Sequence, residues 1–394
     1  MVMKLSARWG MLLGMLLIAV SLFSTQTQQE ANAQTRDRCS GGSFVINKTL
    51  ANGANWTLCW EERSSEGIVL RGIRYTPPGG SQISVINQIN LAQIHVPYDD
   101  NTARFHDLSD YGLGGGHLNN MVAADCPDGT LIQNNSRNVL CMTVVPTGYA
   151  YKYYAQVKQG SALVLRSVSH IGAYNYVSQW IFHDDATIEP GIGATGKLQK
   201  CTNVAKYGWK IDASSCQYGT SHIHNYYWRI DFALGGNTNN VVEQIEFDSS
   251  GAAQRNLQLQ DYTAETAVKF SPETFRSWRV KNKTVTNSDG HAISYELIGN
   301  SDHVFRGPTF EPWTNNDVYV TENNPCERWV SHNDGSGCAD DVSGFVNNQT
   351  LTDPIVWFGI TFHHLPRDED DPLMSSHWSS FQMVPRDLYA SQQR

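Results

Sequence analysis

The chain has 394 residues, of which 40% are hydrophobic and 17% charged, enough apolar content for one large core and too ordered a composition for a disordered scaffold. Its 29 Lys and Arg against 38 Asp and Glu give a net charge of −9, so no basic field is available to hold a phosphate backbone or an anionic membrane, and nucleic acid is excluded as an expected partner. The 32 Gly, 11 Trp, 17 Tyr and 14 Phe lean toward short strands and many turns, not toward a helical bundle.

At the start of the chain, Lys4 and Arg8 flank an almost unbroken apolar run at 9–23, and Ala31-Asn32-Ala33 offers the small residues that signal peptidase accepts. Residues 1–33 are expected to be an export signal, because the run falls short of the roughly 20 apolar residues that span a bilayer. No later segment is long enough to span. Cleavage after Ala33 leaves 34–394 as a single domain, secreted or periplasmic and free of the membrane.

Export makes disulfides the default. The eight cysteines fall as four sequence neighbours, which predicts Cys39–Cys59, Cys126–Cys141, Cys201–Cys216 and Cys326–Cys338. None has the close spacing of a zinc ribbon. Sequons at Asn47, Asn55, Asn134, Asn282 and Asn348 fit exposed loops.

Short β-type runs recur at 68–70, 162–168, 226–232, 241–247 and 355–362, separated by Gly, Asn, Asp and Pro clusters. The best helix signal is brief: Ser271-Pro272-Glu273 offers an N-cap and an N1 proline ahead of Phe275 and Trp278. The expected fold is mainly β, one large antiparallel β-sandwich with loops pinned by local disulfides.

Within the run that follows Ser221, His222-Ile223-His224 places two imidazoles on one face if it is a strand, since residues two apart point the same way. Taken alone, the pair is more often a packing feature. A second cluster, His363-His364, follows the strand ending at Phe362. Three neutral imidazoles suit copper or zinc, and an open position would make such a site catalytic. The zinc-hydrolase motif H-E-x-x-H and the G-x-S-x-G nucleophile elbow are both missing from the sequence.

The stretch Gly172-Ala173-Tyr174-Asn175-Tyr176, followed by residues 180–189 and Gly193-Ala194-Thr195-Gly196, resembles the cofactor region of the copper-containing amine oxidases. In that family the first tyrosine of an Asn-Tyr-Asp/Glu-Tyr motif processes itself to topaquinone, and the matching position is Tyr174. The resemblance continues in order along most of the chain from about residue 56. Residues 91–98 look like the segment ending in the tyrosine that hydrogen-bonds the quinone, here Tyr98. Residues 105–114 look like the stretch that holds the catalytic aspartate, here Asp107. Cys126 and Cys141 match an internal disulfide of the family, and His222 and His224 match its first two copper ligands. The segment from Asp353 to Arg367 fits without a gap, which selects His364 over His363 as the third.

The resemblance implies an oxidation of a small primary amine by dioxygen, using copper(II) and topaquinone. The quinone captures the amine as a Schiff base, Asp107 takes the proton from its α-carbon, and aldehyde, ammonia and hydrogen peroxide are released. It also implies a homodimer exchanging hairpin arms, one of which fits between His224 and His364. The two small α/β domains that precede the family's catalytic domain have no room in this sequence. Ala173 stands where the family has asparagine, and Asn175 where it has an acid. These departures favour the alternative of a non-catalytic, metal-binding β-sandwich with an unmodified Tyr174. A carbohydrate-binding or adhesion module would explain the aromatics but not the ordered motifs. Asp231 and Asp353 match two of three carboxylates of a peripheral calcium site, and Ala233 replaces the third. Calcium binding is therefore expected to be weak, with the Phe232 and Pro354 carbonyls and waters completing the shell.

Overall fold

The computed structural model describes residues 44–213, 216–248, 251, 253–299 and 304–391. The first of its two large sheets runs Phe44–Thr49, Asn55–Arg63, Gly67–Thr76, Ile83–Pro97, His222–Phe232, Pro354–His364, Val318–Glu322 and Thr266–Val268 in hydrogen-bonded order, with Arg104–His106 paired to Ile83–Pro97. The second runs Leu257–Asp261, Asn240–Phe247, Ser277–Thr286, Ala292–Gly299, Met374–Arg386, Ile188–Gly196, Tyr174–His183, Gln156–Ile171, Arg137–Tyr153 and Thr130–Asn134. A small third sheet joins Cys201–Thr202, Cys216–Thr220 and Gly208–Ala213.

Between the large sheets lies the main core. Trp180 of the second sheet meets Trp228 of the first edge-on at 6.2 Å, Trp228 meets Phe381 at 6.1 Å, and Phe358 stacks on Phe381 at 4.6 Å. Each side chain is fully buried, and burial of one such ring contributes about 1.5–3 kcal/mol. The mainly β, antiparallel sandwich expected from composition is what forms. The outer face of the first sheet is covered as well, because Tyr227, Ile355 and Trp357 pack with Trp313, Tyr319, Val330 and Phe345. Strands His222–Phe232 and Pro354–His364 are thus buried on both faces over most of their length, and both carry apolar residues on each face without a clean alternation.

All five predicted β runs fall inside strands. The helix signal does not mature: Pro272–Thr274 makes a single 3-10 turn and Phe275, at φ +52°, stops it. Trp278 instead joins Ser277–Thr286, where it is 1% exposed beside Phe270 and Phe358. Core burial of one indole outweighs a weak local helix start.

Cys126–Cys141, Cys201–Cys216 and Cys326–Cys338 pair as expected. The Cys39–Cys59 pairing and the leader at 1–33 lie outside the described residues. Of the five sequons expected in exposed loops, Asn348 is in one; Asn47, Asn55 and Asn134 lie in the strands Phe44–Thr49, Asn55–Arg63 and Thr130–Asn134, and Asn282 is buried in a strand, donating to the Leu234 and Thr238 carbonyls and accepting from Thr284 and Val285. Its amide is committed to bracing a turn and is not displayed to solvent.

Candidate active site

The central strand His222–Phe232 lies between Ile83–Pro97 and Pro354–His364, three segments remote in sequence. Antiparallel register sets His222 opposite His364 and His224 opposite Phe362. The period of two then puts His222, His224 and His364 on the face that meets the second sheet. Their ligand atoms all lie within 4.8 Å of one another, and none is more than 2% exposed. His363 goes the other way, exposed and hydrogen-bonded through Nε2 to Asp99 at 3.0 Å.

Hydrogen bonds at the far ring nitrogens fix the tautomers. His222 Nδ1 donates to the Thr220 carbonyl at 2.9 Å, and His364 Nε2 donates to Asp370 Oδ2 at 3.0 Å. That leaves His222 Nε2 and His364 Nδ1 as acceptors only 3.2 Å apart. Both nitrogens of His224 are buried with no hydrogen bond. Burial holds His222 down to about 3, depresses His364, and drives His224 well below the ordinary histidine range; neighbouring imidazoles reinforce the effect. Three neutral imidazoles with convergent acceptor nitrogens, two of them backed by a carbonyl or carboxylate partner, fit a transition-metal ion.

Tyr174 enters from the second sheet. It is the first residue after a two-residue hairpin turn, since Ile171 pairs with Tyr174 and Gly172 sits at φ +59°. Its hydroxyl donates to His222 Nε2 at 2.7 Å, and its ring meets His224 edge-on at 5.3 Å. Burial pushes this phenol far up. Ala173 occupies the second turn position, and Asn175 lies on the opposite face, accepting from His170 Nδ1 at 3.1 Å if that nitrogen carries the proton. Gly196 faces this turn across the ladder at φ +122°, where a Cβ would lie 2.3 Å from the Ala173 carbonyl oxygen.

Tyr98 bridges to His222 through the backbone and stacks on its ring at 4.6 Å. Its hydroxyl is buried without a hydrogen bond of ordinary geometry, and it perturbs the Tyr174 phenol electrostatically.

Asp107 opens the turn Asp107–Tyr111. It is 6% exposed and accepts from the Tyr176 hydroxyl at 2.5 Å. Burial pushes its carboxyl up to about 7; the Tyr176 hydrogen bond opposes this and the charge of Asp110 adds to it. Tyr176 in turn lies nearly parallel to Tyr174, with ring centroids 6.0 Å apart. Asp110 turns outward to His332 Nδ1 at 2.9 Å.

The structure thus gathers Tyr98, Asp107, Tyr174, His222, His224 and His364 at one end of the sandwich. Sequence reasoning missed Tyr176 and Asp370. Tyr176 was findable, because it shares the strand face of Tyr174 two residues on. Asp370 sits in the acidic run 368–371, which reads as a solvated surface. Burial raises the Asp231 carboxyl and the charge of Asp353 adds to it, yet each side chain is already held by an amide, Asn87 and Asn323 at 2.8 Å. Among the described residues no third acidic, His or Cys group joins them as a metal-binding set. Millimolar calcium is accordingly expected to leave the thermal unfolding midpoint almost unchanged; a rise of several degrees would show a tight site.

The family description "Copper amine oxidase, enzyme domain" matches residues 46–394. A primary amine oxidase of Klebsiella aerogenes is 25% identical over 89% of this chain and 53% of its own length. The copper-containing amine oxidase gamma 2 of Arabidopsis thaliana is 23% identical over 94% of this chain and 62% of its own. The chain therefore spans little more than half of such relatives. Among solved structures, the copper-containing benzylamine oxidase of Hansenula polymorpha superposes with a TM-score of 0.74 at 19% identity, covering 88% of this chain and 61% of that one. With a family match over nearly the whole described chain and the same fold, this protein belongs to the copper amine oxidase family, to which it contributes an enzyme domain.

Proposed function

We propose that the chain is the catalytic domain of an exported primary-amine oxidase, which converts R-CH2-NH2, dioxygen and water to aldehyde, ammonia and hydrogen peroxide. The observation that carries this is the Tyr174 hydroxyl, 2.7 Å from His222 Nε2 at the edge of three buried, neutral imidazoles. Copper(II) held by His222, His224 and His364 would promote the oxidation of Tyr174 by dioxygen to topaquinone, and topaquinone would supply the electrophilic carbonyl for the amine.

The remaining roles belong to side chains. Asp107 is the proton acceptor: a carboxyl near 7 is a far stronger base than an exposed aspartate and is still substantially ionised at neutral pH. Tyr176 fixes one of its oxygens, which leaves the other to receive the α-proton. Tyr98 packs flat on His222 and limits the travel of that ring. Packing of both sheets around the site excludes water from Tyr174, which is 3% exposed.

Export through the leader at 1–33 agrees with three disulfides in the described chain. Membership of the family supports a homodimer. Calcium at Asp231 and Asp353 is at most weak. Ala173 favours a second reading, a metal-binding sandwich with unmodified Tyr174, because a methyl replaces the amide that normally precedes the modified residue.

Peroxide release from the copper-loaded protein on addition of a small primary amine tests the proposal. Tyr174→Phe removes one hydroxyl and little packing, so it is expected to keep fold and metal but form no peroxide. A variant still producing amine-dependent peroxide would refute the role of Tyr174.

A further inference from the structure

His364 faces two ways. Its Nδ1 turns to His222, while its Nε2 turns to Asp370, behind which His377 projects from the strand Met374–Arg386. His364, Asp370 and His377 form a second group whose ligand atoms all lie within 4.8 Å of one another, sharing only His364 with the first. The rings of His364 and His377 are 4.8 Å apart, the same spacing as His222 and His364.

The polar atoms of this second group are not spent. Asp370 is 1% exposed; its Oδ2 accepts from His364 and from the Arg367 backbone N–H at 3.0 Å, but its Oδ1 is buried with no hydrogen bond. His377 Nε2 is likewise buried and unpartnered, 3.7 Å from that oxygen. Arg367 Nε approaches Oδ1 only to 3.8 Å, on a side chain 53% exposed, where water competes for it. A buried carboxylate oxygen and imidazole nitrogen facing each other beyond hydrogen-bond distance carry an unmet desolvation cost unless a cation or proton sits between them.

We propose that His364, Asp370 and His377 bind a second divalent first-row cation, zinc or copper, with the His364 imidazole bridging it to the metal of the first site. Two histidines and one carboxylate are a donor set that zinc accepts with a position left open, and copper shares the preference for imidazole. Binding displaces the Nε2 proton of His364 to solvent, and the freed lone pair makes the new metal bond. The imidazolate and the Asp370 carboxylate then supply two negative charges that three neutral imidazoles lack. The bridge rests on the copper site proposed above; the His364, Asp370 and His377 cluster does not.

The copper-loaded protein is dialysed against micromolar zinc, and both metals are counted per chain. The wild type is expected to hold about one copper and about one further zinc. His377→Phe, which keeps a ring against Phe362, is expected to lose the zinc by about tenfold or more while retaining copper, which also certifies its fold. His224→Ala should lose copper and keep zinc, so failure of the first site and of the second are told apart. A wild type that takes up no metal beyond copper, or zinc retained in full by His377→Phe, would overturn the proposal.

Discussion

Replacing Asp107 with asparagine is expected to lower amine turnover by about 100- to 10,000-fold, the usual contribution of a positioned general base, while quinone formation and hydrazine capture survive. The amide cannot accept the α-proton, yet it still receives the Tyr176 hydrogen bond, so the packing around Tyr174 is kept. The pH dependence is a second signature. Asp107 acts only when ionised, so below about 7 kcat/KM should fall by about tenfold per pH unit, and the asparagine variant should lack that limb. Stability runs the opposite way. A carboxyl raised from 3.8 to about 7 binds a proton in the native state that the unfolded chain has released, so its contribution is complete below 3.8 and lost as pH rises through about 7. Near-normal turnover in the variant would remove Asp107 from the chemistry, with Asp110 the next residue to try.

Removal of any one of His222, His224 or His364 is expected to abolish copper retention and with it the quinone, because two imidazoles are too few for a tight site. His224→Ala should be the cleanest case: its nitrogens have no hydrogen bonds to lose, so the effect on folding is confined to the cavity left by the ring. His363→Ala should retain copper, since that side chain leans away to Asp99. Copper counts per chain and the visible spectrum check both. A copper-free His363→Ala beside a copper-replete His364→Ala would reverse the assignment.

Much of this was legible in the residues. The β-type runs at 226–232 and 355–362 announced strands, and H-x-H on such a strand puts two imidazoles on one face whatever the fold. What one chain could not disclose is long-range register. His364 faces the cluster and His363 does not because His222 pairs with His364, and only the resemblance supplied that choice beforehand. The link from Asp107 through Tyr176 to Tyr174 joins a turn to the opposite sheet, so no spacing encodes it. Asn282 and Trp278 misled for a shared reason: local signals, a sequon and an N1 proline, were overridden by burial in a strand. Asp370 was hidden by its acidic neighbours, of which it alone turns inward to a histidine.

The central claim is that Tyr174 becomes a quinone in a site built by three histidines and Asp107. Its most direct test is the visible spectrum of protein loaded with copper in air, before and after a stoichiometric aryl hydrazine. A visible band that appears after copper addition and shifts on forming the hydrazine adduct is expected in the wild type and in Asp107→Asn, but not in Tyr174→Phe. A colourless, hydrazine-silent wild type that nonetheless holds a full complement of copper would contradict it and leave a metal-binding sandwich with an unmodified tyrosine.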